Sequence, residues 1–210
     1  MVAIMIEKTR MTSYHTIEKE SIAELKDRGS KFLAYAFPVQ TVEDFKKRLK
    51  ELKEEHPKAA HHCFAYRIDA TGNLFRSSDD GEPSGSAGKP ILGQIDSKGL
   101  SGTAVVVVRY FGGTLLGVPG LINAYKTVTS LALQLTPIIE KPVLVTYELH
   151  YDYTLMNEIM MVIKRFGCVV LENEMQLFCR MLIGVPKETE KLCLEKLSDL
   201  HGVEVKFREL

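Results

Sequence analysis

The segment Asp79–Pro90 carries the densest set of potentially reactive groups in the chain. It contains three carboxylates within four residues, those of Asp79, Asp80 and Glu82. Carboxylates at this spacing could bind a hard cation or act as a general acid and a general base. Asp, Gly, Pro and Ser are also the residues that turns select, so the composition equally fits a structured loop that caps a helix. Composition alone leaves both interpretations open.

The second half of this segment could bind an anion. Small residues precede a predicted helix there, namely Ser84, Gly85, Ser86 and Gly88. Unpaired backbone N–H groups and the positive end of the helix dipole attract negative charge at such a place. Lys89 adds a positive charge. The segment is not a phosphate-binding P-loop, because its glycines have the wrong spacing and Pro90 follows Lys89.

A second cluster follows the apolar run Ala104–Val108. It consists of a cation, an aromatic pair and a glycine pair: Arg109, Tyr110, Phe111, Gly112 and Gly113. At a strand end these groups could clamp a phosphate or stack on a base. Alternatively, one ring fills the core, Arg109 pairs with a loop carboxylate, and the glycines allow a close approach of strand and helix. The glycine spacing excludes a Rossmann cofactor site.

The run His61-His62-Cys63 suggests a metal site or a nucleophile, but its predicted strand argues against both. Alternate residues of a strand face opposite sides, so these three side chains cannot surround one ion. We therefore predict no metal site and no cofactor. His61 is expected to lie near the acidic loop, where it could assist the carboxylates as a catalytic candidate.

The cysteines, the N-terminal stretch and the charge balance together predict where the protein is located and which partners it can bind. Cys168, Cys179 and Cys193 lie in apolar patterns and are predicted to be small core residues, without a CxxC spacing. The N-terminal apolar stretch Met1–Ile6 is too short for a signal peptide, so we expect a cytoplasmic protein with reduced thiols. The chain has 27 basic and 27 acidic residues, so any contact with nucleic acid must be local. We expect no membrane partner and no sequence-specific contact with DNA.

Hydrophobic periodicity and turn residues predict the elements that hold these groups in residues 1–140. The predicted strands are Ile17–Lys26, Lys31–Val39, His61–Asp69, Leu74–Ser78 and Ala104–Val108. The predicted helices are one capped by Thr41, a short one at Lys89–Ile95, and a long one after the glycine-rich link Gly112–Gly120.

Pro137 and Pro142 bracket a predicted domain boundary, which gives domains 1–140 and 141–210. The second domain is predicted to contain, in order, strand Val143–His150, helix Leu155–Phe166, strands Cys168–Glu174 and Leu177–Val185, helix Pro186–Leu200 and strand Val203–Arg208. The order βαββαβ is typical of a ferredoxin-like sandwich. The predicted fold class is therefore α+β.

Taken together, the two clusters resemble the IMPACT family, in particular its bacterial YigZ-type members. The resemblance covers roughly residues 14–136. It lies in the runs Ser78–Gly85, Ala87–Leu92 and Val106–Gly113 and in the pairs Leu116-Gly117, Gly120-Leu121 and Ala124-Tyr125. It implies a first domain like the second domain of a small-subunit ribosomal protein and domain four of elongation factor G. It implies a second domain like the fifth domain of that factor. Relatives often have a Lys at the position of Leu115, an Arg at that of Asn123 and a Gly at that of Pro119.

The resemblance implies a role in translation, because eukaryotic relatives regulate translation at the ribosome and bacterial members are proposed to bind nucleic acid. We expect a non-enzymatic regulator that binds RNA, the ribosome or a protein of translation control through Asp79–Lys89 and Arg109–Gly113. We expect the partner-binding domain of the eukaryotic relatives to be missing here, so their protein partner is not transferred. One alternative is a metal-assisted or carboxylate-based hydrolase that uses Asp79, Asp80 and Glu82. Another is a protein adaptor that uses the flat face of the C-terminal sheet.

Overall fold

The computed structural model describes residues 11–176 and 178–209. The residues form two compact units, Tyr14–Lys141 and a second unit that contains Pro142–Leu210. Two features discussed above lie outside the described residues. They are the N-terminal stretch Met1–Ile6 and Leu177, the first residue of a predicted strand. The chain is α+β with two sheet-bearing regions, as predicted.

The first unit is built on a five-stranded antiparallel sheet with the strand order β2-β3-β6-β4-β5. Its strands are β2 (Ser21–Asp27), β3 (Ser30–Pro38), β4 (His61–Ile68), β5 (Leu74–Ser78) and β6 (Thr103–Tyr110). Its helices are α1 (Val42–Glu55), α2 (Gly88–Ser97) and α3 (Gly117–Gln134). Two short strands, β1 (Ser13–Ile17) and β7 (Ile138–Pro142), pair separately.

Helices cover both faces of this sheet, which explains the apolar run in β6. Val105 and Val107 belong to a core cluster with residues of α2 and α3, whereas Val106 and Val108 belong to a cluster with residues of α1. A strand buried on both faces needs consecutive apolar residues. Because side chains alternate along a strand, Arg109 extends the row of Val105 and Val107 toward α3.

Thr41 caps α1, as the sequence predicts. Its Oγ1 accepts a hydrogen bond from the backbone N–H of Asp44 at 3.0 Å, and Asp44 Oδ2 accepts one from the N–H of Thr41 at 3.1 Å. This reciprocal capping box satisfies two donors that a helix start leaves unpaired. The predicted N-cap is confirmed.

The second unit is a four-stranded antiparallel sheet with the order β11-β8-β10-β9 and two helices. Its elements are β8 (Leu144–Asp152), a 3₁₀ turn (Tyr153–Leu155), α4 (Met156–Arg165), β9 (Val169–Glu174), β10 (Phe178–Pro186), α5 (Glu190–Ser198) and β11 (Glu204–Arg208). The element order βαββαβ is the predicted one. Within residues 11–176 and 178–209, no helix combines the length and the hydrophobicity needed to span a bilayer.

Several predicted element boundaries are wrong. The predicted strand Ile17–Lys26 is divided between β1 and β2, and β7 has no counterpart in the prediction. Helix α3 begins at Gly117, inside the predicted glycine-rich link, where this glycine adopts a φ of 71°. Pro186 ends β10 instead of opening the last helix, because the residue before a proline favours extended backbone.

Candidate functional site

The two clusters singled out in the sequence meet at a buried ion pair. Arg109 Nη1, at the end of β6, donates to Glu82 Oε1, in the loop after β5, at 2.6 Å. The two residues are only 5 % and 8 % exposed. The hydroxyl of Tyr125, in α3, donates to the same carboxylate oxygen at 2.8 Å. One carboxylate therefore joins the acidic loop, the central strand and the long helix.

Aromatic rings cover the guanidinium of Arg109. Its central carbon lies 5.3 Å from the ring centre of Phe32 and 5.6 Å from that of Phe111, within cation–π range. Its Nη2 lies 3.4 Å from Ser30 Oγ, and its buried Nε has no partner within the described part of the chain. Arg109 thus has the geometry of the alternative interpretation, in which it pairs with a loop carboxylate, rather than that of an exposed phosphate ligand.

Asp79 occupies the start of α2. Its Oδ1 accepts hydrogen bonds from the N–H groups of Ala87 and Gly88 at 3.0 and 2.8 Å, and its Oδ2 accepts one from Gly85 at 2.8 Å. Partial burial disfavours the charged carboxylate, but these three N–H groups and nearby Lys89 outweigh it and hold the pKa of Asp79 below its usual value. Asp79 is therefore an internal anion at this helix N-terminus.

Asp80 and His61 form a separate contact. The backbone N–H of His62 donates to Asp80 Oδ2 at 2.7 Å, and His61 Nδ1 lies 2.8 Å from the carbonyl oxygen of Asp80. A carbonyl only accepts, so Nδ1 carries the proton. His61 Nε2 lies 3.9 Å from Glu82 Oε1. The three carboxylates of the loop thus have different partners. Asp79 accepts from the start of α2, Asp80 from the N–H of His62, and Glu82 from Arg109 and Tyr125.

The anion-binding candidates of the loop differ in their accessibility. Ser86 is buried and its hydroxyl donates to the carbonyl of Pro83 at 2.6 Å, whereas Ser84 and Lys89 are exposed. Asp79 already accepts from the N–H groups at the start of α2. Lys89 is therefore the group of this loop that an external anion could reach most directly. Across residues 11–176 and 178–209, no group of three His, Cys, Asp or Glu side chains is arranged to hold a metal ion.

The residues after Arg109 have distinct surroundings. The hydroxyl of half-buried Tyr110 lies 2.9 Å from His56 Nδ1, while Phe111 is 49 % exposed. A Cβ atom on Gly112 would lie 1.8 Å from the carbonyl carbon of Gly29. Gly113 adopts a φ of 85°, which favours glycine. Gly112 thus allows the loop after β6 to touch the turn between β2 and β3, rather than a helix.

A pocket of ≈ 320 Å³ opens beside the ion pair. Its polar lining comes from His61, Glu82 and Arg109. Its apolar lining is larger and includes Pro83, Phe111, Leu115, Leu116, Val118 and Leu121. Leu115 is 82 % exposed, so the rim is apolar. Because Glu82 neutralises Arg109, the pocket suits a flat or apolar group with a polar edge better than a bare phosphate.

Tyr125 is a site residue that the sequence does not reveal, and Cys63, considered there only as a nucleophile, lies beside it. Cys63 Sγ donates to the carbonyl of Asp79 at 2.9 Å and lies 3.3 Å from the Tyr125 hydroxyl oxygen. Burial raises the pKa of Cys63 to about 12, so its thiol stays neutral and is a poor nucleophile. Tyr125 fits the apolar pattern of its helix, and only the tertiary fold brings its hydroxyl to Glu82 and Cys63.

Comparison with known proteins establishes the family. The Impact N-terminal domain family matches residues 28–133. The IMPACT family member YigZ of Escherichia coli (strain K12) is 33 % identical over 82 % of this chain and 85 % of its own length. The chain therefore belongs to the IMPACT family. Its homology to the bacterial YigZ type extends over most of its length.

One solved structure shares the fold over nearly the whole chain. A crystal structure of a hypothetical protein is 28 % identical, covers 95 % of this chain and 98 % of its own, and superposes with a TM-score of 0.74. A structure of the two-domain translational regulator Yih1 is also 28 % identical, but it covers 57 % of this chain and 48 % of its own. Its TM-score of 0.38 is too low to establish a common fold.

Proposed function

We propose that this protein is a non-enzymatic, translation-related regulator that binds RNA, the ribosome or a translation-associated protein. The contact surface is the junction of the Asp79–Lys89 loop and the Arg109–Gly113 strand end. The observation that carries the proposal is the pocket at this junction, whose floor contains the Arg109–Glu82 pair and whose rim exposes Phe111 and Leu115. The role in translation rests on membership of the IMPACT family, for which the sequence resemblance implies regulation of translation.

The chemistry of the rim determines the kind of contact. Exposed apolar side chains gain most from burial against a base or against an apolar protein surface. Lys89 is an exposed cation of the Asp79–Lys89 loop, whereas the charge of Arg109 is already balanced. We therefore infer that stacking and apolar burial supply most of the affinity, with few phosphate contacts.

The hydrolase alternative depends on Asp79, Asp80 and Glu82. The hydrogen bonds of Asp79 and Glu82 favour structural roles, so Asp80 beside His61 is the most reactive candidate in this group. The decisive measurement is turnover of phosphoester and peptide substrates, with and without divalent ions. Turnover that Asp80→Asn abolishes would favour the hydrolase over the regulator.

We also propose a domain assignment and a location. Residues 1–140 are the ribosomal-protein-like IMPACT domain, and residues 141–210 are a ferredoxin-like domain. The compact units and the antiparallel strand order β11-β8-β10-β9 support this division. The location is the cytoplasm, in line with the predicted role in translation.

The test measures binding to single-stranded RNA and to ribosomes at low and moderate salt. We expect Phe111→Ala and Leu115→Ala to weaken binding at least fivefold, since each removes rim surface. Leu135→Ala is a matched control, because Leu135 is also exposed but does not line this pocket. The affinity should fall with salt by the equivalent of only one or two phosphate contacts.

Leu115→Ala makes the test independent of folding, because the side chain is almost fully exposed. If the unaltered protein binds neither RNA nor ribosomes at low salt, the proposal that either is its partner is wrong. If Phe111→Ala and Leu115→Ala bind as tightly as Leu135→Ala, the pocket is not the contact surface.

A further inference from the structure

We propose that Cys168 and Cys193 form a thiol modification site. A hydroperoxide oxidises the two thiols to an intramolecular disulfide. Their Sγ atoms lie 3.5 Å apart, although 25 positions separate them in sequence. Cys168 follows α4, and Cys193 lies in the first half of α5. Both belong to the second unit, so the inference is independent of the pocket beside Arg109.

The backbone holds Cys168 in place. The N–H of Gly167 donates to the carbonyl of Lys164 at 3.4 Å, and the N–H of Cys168 donates to that of Ile163 at 2.9 Å. With Gly167 at a φ of 65°, this is the Schellman motif, which ends a helix with a fixed geometry. The position of the Cys168 side chain is therefore set by the end of α4.

Cys193 is held by the second helix. Its N–H donates to the carbonyl of Thr189 at 2.9 Å, and its side chain belongs to the core of the unit. The hydroxyl of Thr189 in turn lies 3.3 Å from the carbonyl oxygen of Phe166, beside the end of α4. The two helix ends that carry the thiols are thus joined by a further hydrogen bond.

The two thiols are unequal, which assigns their roles. Cys168 is partly exposed, whereas Cys193 is 0 % exposed. The hydrogen bond from Cys193 lowers the pKa of Cys168, while the same contact and burial raise the pKa of Cys193. The thiolate is the nucleophile in thiol chemistry. Cys168 is therefore the thiol that attacks the oxidant, and Cys193 is the thiol that resolves the intermediate.

The reaction balances with one hydroperoxide. The Cys168 thiolate attacks one peroxide oxygen, the O–O bond breaks, and the leaving alkoxide or hydroxide takes a proton and departs as an alcohol or water. Cys168 becomes a sulfenic acid. Cys193 Sγ then attacks this sulfur, the S–O bond breaks, and the departing hydroxide takes the Cys193 proton as water. The two sulfurs lose two electrons, which the peroxide gains.

The geometry requires little movement for this bond. A disulfide needs a sulfur separation of about 2.05 Å, so the thiols must approach by about 1.5 Å. The bond would close a loop that includes β9 and β10 and would connect the end of α4 to α5. Such a crosslink restricts the unfolded chain. We expect the oxidised protein to melt about 5 °C higher than the reduced protein.

The test treats the full chain with about one equivalent of hydrogen peroxide, alkylates the remaining thiols after denaturation, and maps the peptides. We expect a single Cys168–Cys193 disulfide, with Cys63 and Cys179 alkylated as internal controls. Both controls are buried, and neither has a cysteine partner among the described residues. Four alkylated cysteines, a different pairing or a bond between two chains would overturn the proposal.

Variants separate the two roles. Cys168→Ser should slow oxidation at least tenfold, whereas Cys179→Ser should leave it unchanged. Cys193→Ser should leave a sulfenic acid on Cys168 that dimedone captures, without a disulfide. If the buried Cys193→Ser variant does not fold, the peptide map of the unaltered protein still decides the question, because it needs no substitution.

Discussion

Arg109 and Glu82 form their 2.6 Å hydrogen bond with both side chains more than nine-tenths excluded from water. Removing two charges from water costs several kcal/mol per ion, and only close pairing and further hydrogen bonds offset that cost. Tyr125 supplies such a bond to Glu82. The pair therefore connects β6, the loop after β5 and α3. We expect the loss of either partner to lower the free energy of unfolding.

The first prediction concerns this pair. Arg109→Ala should lower the free energy of unfolding by about 3 kcal/mol, because it leaves the buried Glu82 carboxylate without its cation. Urea unfolding measures the change. Lys50→Ala is the control, since Lys50 and Glu54 form an exposed pair at 3.8 Å and its loss should change stability by less than about 0.5 kcal/mol. Equal effects of the two substitutions would contradict the assigned role.

Asp79 gives a second prediction. Asp79→Asn keeps the shape of the side chain but removes the negative charge at the start of α2. We expect it to lower the free energy of unfolding by about 1 kcal/mol at pH 7, the usual contribution of a helix-capping carboxylate. Glu188→Gln is a control for the loss of a carboxylate charge, because Glu188 is exposed and lies outside the helices. An Asp79→Asn variant as stable as the unaltered protein at pH 7 would refute this role.

The pH dependence of this variant is a third prediction. The pKa of Asp79 in the folded protein is lowered from its usual 3.8, so the unfolded chain binds this proton more readily. The charge of Asp79 therefore stabilises the folded protein fully when the pH is more than about one unit above 3.8. This stabilisation is lost as the pH falls through the lower pKa that Asp79 has in the folded protein. Urea midpoints of the two proteins should converge on acidification. A constant difference down to pH 2 would show that the charge is not responsible.

Two glycines allow a matched fourth prediction. Gly112→Ala should be strongly destabilising, because its Cβ would lie 1.8 Å from a backbone carbon of Gly29 and no side chain can move aside. Gly93→Ala should stabilise the protein by about 0.5–1 kcal/mol, because Gly93 lies inside α2 with no atom near its Cβ. Melting temperatures should therefore change in opposite directions. A Gly112→Ala variant that melts at or above the temperature of the unaltered protein would disprove the close backbone contact.

Glu148 in β8 gives a fifth prediction, in the second unit. Its carboxylate oxygens accept from Arg208 and Arg180 at 2.8 and 2.9 Å, and His150 Nε2 lies 2.6 Å away. These partners, Arg208 first, lower the pKa of Glu148 to about 2. Glu148→Gln should lower the melting temperature near neutral pH. The difference should shrink between pH 4.5 and pH 2, where the carboxylate of the unaltered protein becomes protonated. A difference that grows on acidification would contradict this origin.

Features with a local cause were predictable from the sequence. The Thr41 cap depends on residues three positions apart, and the consecutive apolar residues of β6 indicate a strand buried on both faces. Strand β7 could not be predicted, because a five-residue strand that ends in a proline has little pattern of its own. The meeting of Arg109 with Glu82 could be suspected only from composition, as one of two alternatives.

Contacts between distant segments account for what the sequence missed. Tyr125 reaches Glu82 from a helix position typical of core residues, and Cys168 meets Cys193 without any spacing motif. Such partners depend on how helices pack on a sheet, which hydrophobic periodicity does not specify.

The contact between Gly29 and Gly112 has a consequence for sequence change in this protein. Hairpin tips usually accept insertions. Here the tip between β2 and β3 touches the backbone that leads from β6 to the pocket rim, so an added residue would push Phe111 away from Arg109. A library of loop-length variants should therefore yield few functional members at this turn, and more at the turn between β4 and β5, whose tip residues Thr71 and Asn73 are exposed.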